Sequence, residues 1–167
     1  GAREFVDRLQ ASRQTYWQIL PISPTGFGDS PYQAFSVFAG NPYFIDFDDL
    51  YQQGLLPREA LDLCDSLFMG DPCAVDYYTQ FDGKGRVLHL AYEHSVDGLA
   101  EDIESFRLRH VGWIDDYALF MALKSVQGMK SFHEWPREIM EKRPDALKAA
   151  ARNLEKEIHY HIFVQYL

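Results

Sequence analysis

No stretch of this sequence approaches the ~18 consecutive apolar residues that a bilayer span demands, and its opening, GAREFVDRLQASRQ, lacks the apolar core of a secretory signal. No membrane partner is expected, and the cytoplasm is the expected location. Basic charge is also short: 16 Lys and Arg stand against 25 Asp and Glu, giving a net charge of −9 and a pI near 5.0. Nucleic-acid affinity comes largely from Lys and Arg releasing counterions from phosphates, so no nucleic acid is expected as a partner. Cysteine is scarce. Cys64 and Cys73 are the two present, and without a secretory signal they are expected as reduced thiols rather than a disulfide. An initiator Met is missing as well, and the leading Gly-Ala reads as a tag remnant or an internal cut.

What is there describes a globular surface around a substantial core. The 167 residues are 47% hydrophobic and 25% charged, with a mean hydropathy of −0.30, which fits one domain or part of one. Aromatics are abundant: 12 Phe, 10 Tyr and 3 Trp make 15% of the chain, more than such a core requires. A surplus of Tyr and Trp suits a surface that grips flat, partly apolar ligands such as sugars, and suits a protein interface equally well.

The pattern along the chain is mostly helical. Residues 3–14 form a first helix with Phe5, Val6 and Leu9 on one side, and Tyr16 to Leu20 (YWQIL) follow as a short buried strand closed by Pro21. From there PISPTGFGDSPYQAFSVFAGNP carries too many Pro and Gly for any continuous element, and irregular loops of this length inside a compact domain are usually functional. Residues 46–53 and 57–67 read as helices separated by Gly54. A turn at 71–73, an extended piece over 74–77 and a further turn at Gly83 and Gly85 come next. Helices are then expected over 86–94, 99–109, 115–127, 136–141 and from Pro144 onward. The last keeps Leu147, Ala151, Leu154, Ile158 and Ile162 on one face and grows more apolar as it ends, without a capping Gly or Asn. That ending reads as a helix severed inside a larger protein, its apolar end left to pack on sequence beyond Leu167.

Several constellations invite a chemical reading. His89, Glu93 and His94 are spaced H-x-x-x-E-H where an inverted zinc-protease motif needs H-x-x-E-H, so the two imidazoles cannot share a helical face and no metal site is expected. His159 and His161 lie two apart on a helix, on nearly opposite sides. Gly26-Phe27-Gly28 lacks the third glycine of a dinucleotide fingerprint. Asp115 and Asp116 read as an N-cap and a first-turn acid, or else as a substrate contact. The loop from Pro21 to Pro42 is richer: Phe27, Asp29, Ser30, Tyr32 and Gln33 set aromatic faces beside short polar groups on a backbone stiffened by proline. An aromatic ring can cover the apolar face of a pyranose while hydroxyls and carboxylates meet its OH groups. The same residues also suit a loop packed by its own Phe and Tyr side chains.

YWQILPISPTGFGDSPYQAFSVFAGNPYFID closely resembles the first strand and following loop of the 4-alpha-glucanotransferases, the amylomaltase or disproportionating-enzyme family (glycoside hydrolase family 77). The resemblance continues through GLL at 54–56, VDY at 75–77, WIDDYALFMALK at 113–124, Trp135-Pro136 and the closing EIHYHIFVQYL, and so covers nearly the whole chain. Phe27 stands where the family usually has Tyr. Gly83 and Gly85 stand where relatives carry stronger helix formers.

That resemblance implies an α/β fold, the N-terminal part of a (β/α)8 TIM barrel, since 167 residues fall short of a bare barrel of ~250. Residues 1–45 would hold the first helix, YWQIL as first barrel strand and the active-site-face loop. Residues 46–143 would be a mainly helical insertion, and 144–167 the truncated helix. The implied reaction is retaining transfer of α-1,4-glucan segments between maltooligosaccharides by double displacement. The catalytic carboxylates of the family lie on later strands, so no catalytic residue is assigned here and the fragment itself is expected to be inactive. What carries over is substrate contact by Ser30 and Tyr32 near the donor subsites, with Asp29 and Gln33 as neighbours and Phe27 as an outer sugar platform. No cofactor or metal is implied. The alternative is a stand-alone helical glucan-binding or interaction module without catalysis. Self-association is expected through apolar surface left open around 16–20 and 163–167.

Overall fold

The computed structural model describes every residue except Gly1, Phe27 and Pro72. Its regular structure is helical, residues 12–41 being irregular, with one isolated antiparallel bridge between Thr25 and Ala34 as the β pairing among the described residues. Among those residues nine α-helices follow in order: α1 (Ala2–Ala11), α2 (Phe47–Gln52), α3 (Arg58–Leu67), α4 (Tyr77–Ser95), α5 (Ala100–Arg109), α6 (Ile114–Val126), α7 (Arg137–Met140), α8 (Pro144–Asn153) and α9 (Glu155–Tyr166).

The core forms where α9 lies along α6 while also touching α4 and α5. Small residues let these helices approach: Ala60 of α3, Ala91 of α4 and Ala118 and Ala122 of α6 are fully buried. Into that space α9 inserts Ile162, Phe163 and Val164, and the Phe163 ring meets Tyr92 edge-on at 5.4 Å. Burying a side chain of this size contributes about 1.5–3 kcal/mol relative to leaving it in water. A helix buried on so much of its circumference belongs at the centre of its domain. The expectation of an open apolar face at 163–167 is therefore corrected: Phe163 and Val164 are buried within this chain, and Gln165 to Leu167 are half-buried.

Tyr16 to Leu20 is also corrected. These residues belong to no strand, and their side chains face solvent, Tyr16 at 91% exposure and Leu20 at 58%. An inner barrel strand gains its burial and its ladder of hydrogen bonds from parallel neighbours on both edges, and no other described segment of this chain pairs with it. Trp17 rests against Phe5 of α1, with ring centres 5.0 Å apart.

Local chemistry explains most helix bounds. Asp46 caps α2, its Oδ1 accepting from the N–H groups of Asp48 and Asp49, and Asp76 caps α4 in the same way through Tyr78 and Thr79. Asp76 thus starts α4 well before residue 86, and the helix runs straight through the glycines expected to form a turn. Gly83 is buried, and a Cβ built on it would sit 3.1 Å from the Phe68 ring, so the absent side chain lets α3 and α4 close together. At the other end Leu154 interrupts the single helix expected from Pro144, splitting it into α8 and α9. Asp115 and Asp116 both sit in the first turn of α6, where acids complement the helix dipole, but Trp113 holds the cap position. Asp115 instead pairs with Arg107 at 2.7 Å.

The two glycines of α4 separate propensity from packing. A Cβ on Gly85 would meet nothing within 4 Å, so Gly85→Ala should stabilise the chain by about 0.5–1 kcal/mol. Gly83→Ala should gain less or lose stability, because the Phe68 ring must move. Urea unfolding of the two variants checks this, and equal stabilisation by both would contradict the packing role of Gly83.

Candidate functional site in the 21–42 loop

The long loop after residue 20 is built as a narrow neck carrying a tip. At the neck, the Asn41 N–H donates to Ile22 O at 3.0 Å and the Phe35 N–H to Pro24 O at 3.2 Å, and Gly26 N–H donates to Gln33 O at 3.2 Å. Gly26 is needed there, since a Cβ would lie 3.2 Å from Gln33 O and 3.4 Å from the Phe35 ring. Between these rungs the tip turns over itself: Asp29 N–H donates to Gly26 O and Gln33 N–H to Ser30 O, both at 3.1 Å. Asp29 takes a left-handed backbone, φ 51°, which Asp tolerates better than most residues, and its Oδ1 accepts from Thr25 Oγ1 at 3.3 Å.

The tip thereby gathers four of the five candidate contacts. Tyr32 is 74% exposed, Gln33 is exposed, and Asp29 and Ser30 are half-buried. Ser30 Oγ faces the Tyr32 N–H at 3.4 Å. Phe27, the fifth, lies outside the described residues. A carboxylate, a hydroxyl, a phenol and an amide on one small surface can exchange hydrogen bonds with a polyhydroxylated ligand while the Tyr32 ring offers a flat apolar face.

Residues that sequence reasoning missed hold this tip on the body. Phe35 packs 6.0 Å from Phe120, beneath Lys124 Nζ at 5.0 Å from its ring centre. Lys124 is buried, and its charge is met by the carbonyls of Met129 and Lys130 at 3.2 and 3.0 Å. Trp135 packs against Phe120 with its ring tilted by 32° and donates its Nε1–H to Lys130 O at 3.3 Å. Phe38 stacks on Trp113 at 6.1 Å, and Ser36 Oγ accepts from the N–H groups of Phe38 and Ala39. A second lysine serves the descending side: Lys84 Nζ donates to Tyr43 O and Ile45 O at 2.8 and 2.9 Å, over the Phe47 ring. Burial pulls its ammonium below the usual lysine range, opposed by Asp46 and Cys64. The signal available in sequence was a lone cation within the apolar run YALFMALKSV.

Beneath the loop a cavity of about 120 Å³ is bounded by Tyr43, Lys84, Tyr117, Tyr160 and His161. Burial pushes the phenols of Tyr117 and Tyr160 well above their ordinary range, and Tyr43 is raised by burial first and by Asp29 next. His161 Nε2 lies 3.4 Å from Glu157 Oε1 without a well-formed hydrogen bond in the geometry of the pair. Interaction with His161 holds the Glu157 carboxyl below the usual carboxylate range, with His89 and Ser125 adding to it against desolvation. His89 itself stacks on Tyr160 at 3.7 Å and turns Nδ1 toward Gly85 O. Among the described residues no group of three or more His, Cys, Asp or Glu side chains is arranged to hold a metal. Cys64 and Cys73 are both free thiols, and burial pushes that of Cys64 up to about 11. No helix among the described residues is long and apolar enough to cross a membrane.

The profile of the 4-alpha-glucanotransferase family matches residues 1–167, the whole chain. This chain belongs to glycoside hydrolase family 77. The 4-alpha-glucanotransferase of Thermus thermophilus is 39% identical over 171 residues, covering 99% of this chain and 33% of the relative. That of Clostridium butyricum is 38% identical over 166 residues, covering 99% and 34%. Among solved structures, an amylomaltase from Streptococcus agalactiae in complex with acarbose superposes with a TM-score of 0.90 at 37% identity, covering 99% of this chain and 33% of that one. The chain thus spans about a third of the length of the relatives it matches, and its fold is a mostly helical piece of an amylomaltase-like structure.

Because the folded Glu157 carboxyl titrates below its unfolded value, it contributes stability that is present above the unfolded value and lost as pH falls through the folded one. Glu157→Gln should destabilise the chain at pH 7 by about 0.5–1 kcal/mol. That difference should shrink below about pH 4.5, the ordinary glutamate value. Urea titrations of both proteins between pH 7 and pH 3 check it, and a gap independent of pH would contradict the pairing.

Proposed function

We propose that this chain is the N-terminal part of a 4-alpha-glucanotransferase that moves α-1,4-glucan segments between maltooligosaccharides by retaining double displacement. The observation that supports this is the 21–42 loop: a family sequence folded as a tip that carries the half-buried Asp29 and Ser30 beside the exposed Tyr32 and Gln33. In this reading Ser30 and Tyr32 contact the donor sugar, with Asp29 and Gln33 beside them and Phe27 as an outer platform. Their role is to orient the sugar ring for attack, a contribution realised only alongside a nucleophile and a general acid. On this reading those carboxylates are supplied by sequence outside residues 1–167. Residues 1–45 would then carry the first helix, the segment that would become the first barrel strand, and the active-site-face loop, residues 46–143 the helical insertion, and 144–167 the truncated helical end, here α8 and α9. The two free thiols and the acidic balance suit the cytoplasm.

A stand-alone glucan-binding module is the second reading. It is favoured by the closed core around Phe163, which is built from residues of this chain alone. The reading frame discriminates the two: further β/α units with Asp and Glu past Leu167 support the enzyme, and a stop codon there supports the module.

In the product of the whole reading frame, Tyr32→Ala should lose about 1.5–3 kcal/mol of apolar contact and hydrogen bonding. It should therefore lower kcat/KM for maltotriose disproportionation roughly 10- to 100-fold. The 167-residue chain alone should release no glucose from maltotriose. A folded Tyr32→Ala enzyme working at the wild-type rate would overturn the placement of the donor sugar on this loop. The chain alone should also associate as its concentration rises, through the exposed Tyr16, Ile19, Leu20 and Ile22. Sedimentation velocity reads this, and a monomer at millimolar concentration would count against it.

A further inference from the structure

The last turn of α9 runs Ile162-Phe163-Val164-Gln165-Tyr166, where a single amide interrupts an apolar run. That amide reaches across to the neck of the 21–42 loop. The Gly40 N–H donates to Gln165 Oε1 at 2.8 Å, and Gln165 Nε2 donates to Gly40 O at 3.0 Å. Both backbone polar groups of Gly40 are thereby satisfied by one side chain, in the paired arrangement that a neighbouring strand residue would otherwise supply.

Three features make this pair more than incidental. First, it acts at the base of the loop, where the adjacent Asn41 N–H closes the neck onto Ile22 O at 3.0 Å. Second, among the described residues no other side-chain hydrogen bond ties residues 21–41 to a helix. The remaining anchors, Phe35 against Phe120 beneath Lys124 Nζ and Phe38 on Trp113, are contacts made through aromatic rings and not hydrogen bonds to the backbone. Third, Gln165 is half-buried and lines both a pocket of about 120 Å³ beside Tyr117 and Tyr160 and an open cleft of about 490 Å³ beside Ile22 and Leu167. With open space on two sides, its two hydrogen bonds to Gly40 help to orient it.

We infer that Gln165 is a positioning residue: by holding Gly40 it fixes the loop neck, and with it the placing of Asp29, Ser30 and Tyr32 against a bound glucan. This rests on the reading of the loop tip as a donor-sugar contact. The residue touches no sugar itself and acts through the backbone of the loop.

Two variants of the whole reading-frame product separate this role from space filling. Gln165→Met keeps the length of the side chain and removes both hydrogen bonds. Gln165→Glu keeps the acceptor for the Gly40 N–H and loses the donor to Gly40 O. Amide hydrogen exchange at Gly40 and across the neck should quicken by about tenfold or more in Gln165→Met and by less in Gln165→Glu, with the core amides of α4 and α6 unchanged. For maltotriose disproportionation, kcat/KM should fall about 3- to 10-fold in the same order, mainly through a rise in KM. An active wild type whose Gln165→Met variant matches it in neck exchange, or loosens the neck while keeping its KM, overturns the inference. A wild type without transferase activity overturns the proposed function, and this inference with it.

Discussion

Everything that positions the loop depends on α9 lying against α6 closely enough to bury Phe163. That approach is possible because α6 turns Ala118 and Ala122 toward its neighbours, while bulk is supplied from α9 by Ile162, Phe163 and Val164. Dense interdigitation of this kind leaves little freedom for either helix to shift, so side chains at their ends are presented from a stiff base. Phe120 and Lys124 project from one of these helices, and Gln165 from the other. The loop is long and irregular, yet it inherits the rigidity of a helical core through those few contacts.

Lysine is the recurring device in that attachment. Lys84 and Lys124 each place an ammonium over a phenyl ring and donate to two carbonyls that lie outside the α-helices. An irregular segment leaves carbonyls without partners in a helix or sheet, and a buried cation needs acceptors, so each deficit answers the other. Lys84 thereby fastens residues 43 and 45, just past the loop, while Lys124 fastens the turn after α6 and covers the Phe35 ring of the loop itself.

Helices α2, α3, α5, α6 and α7 are legible in the sequence to within a residue or two, because their apolar spacing, capping acids and flanking Pro or Gly are local signals. The start of α4 is not, since Gly83 reads as a breaker until the Phe68 ring that needs its missing side chain is known. Nor is the break at Leu154, where the apolar period continues unchanged. YWQIL is legible as β-prone and apolar, but strand formation depends on partners, and pairing is a non-local property. At the site, Asp29, Ser30, Tyr32 and Gln33 are close together in the chain and so legible as a group. Lys124 and Gln165 are not, because their partners are backbone atoms whose proximity only the fold reveals.

Leaving Tyr16 to Leu20 unpaired in solvent also bears on colloidal behaviour. A run of β-branched, aromatic and aliphatic residues with an open backbone is the kind of segment that nucleates cross-β stacking between chains. Here it is bounded by Arg13 on one side and by Pro21 and Pro24 on the other. A proline has no N–H to offer the next layer, and stacked arginines repel, so these flanks act as gatekeepers that confine any such ladder to the short stretch between them.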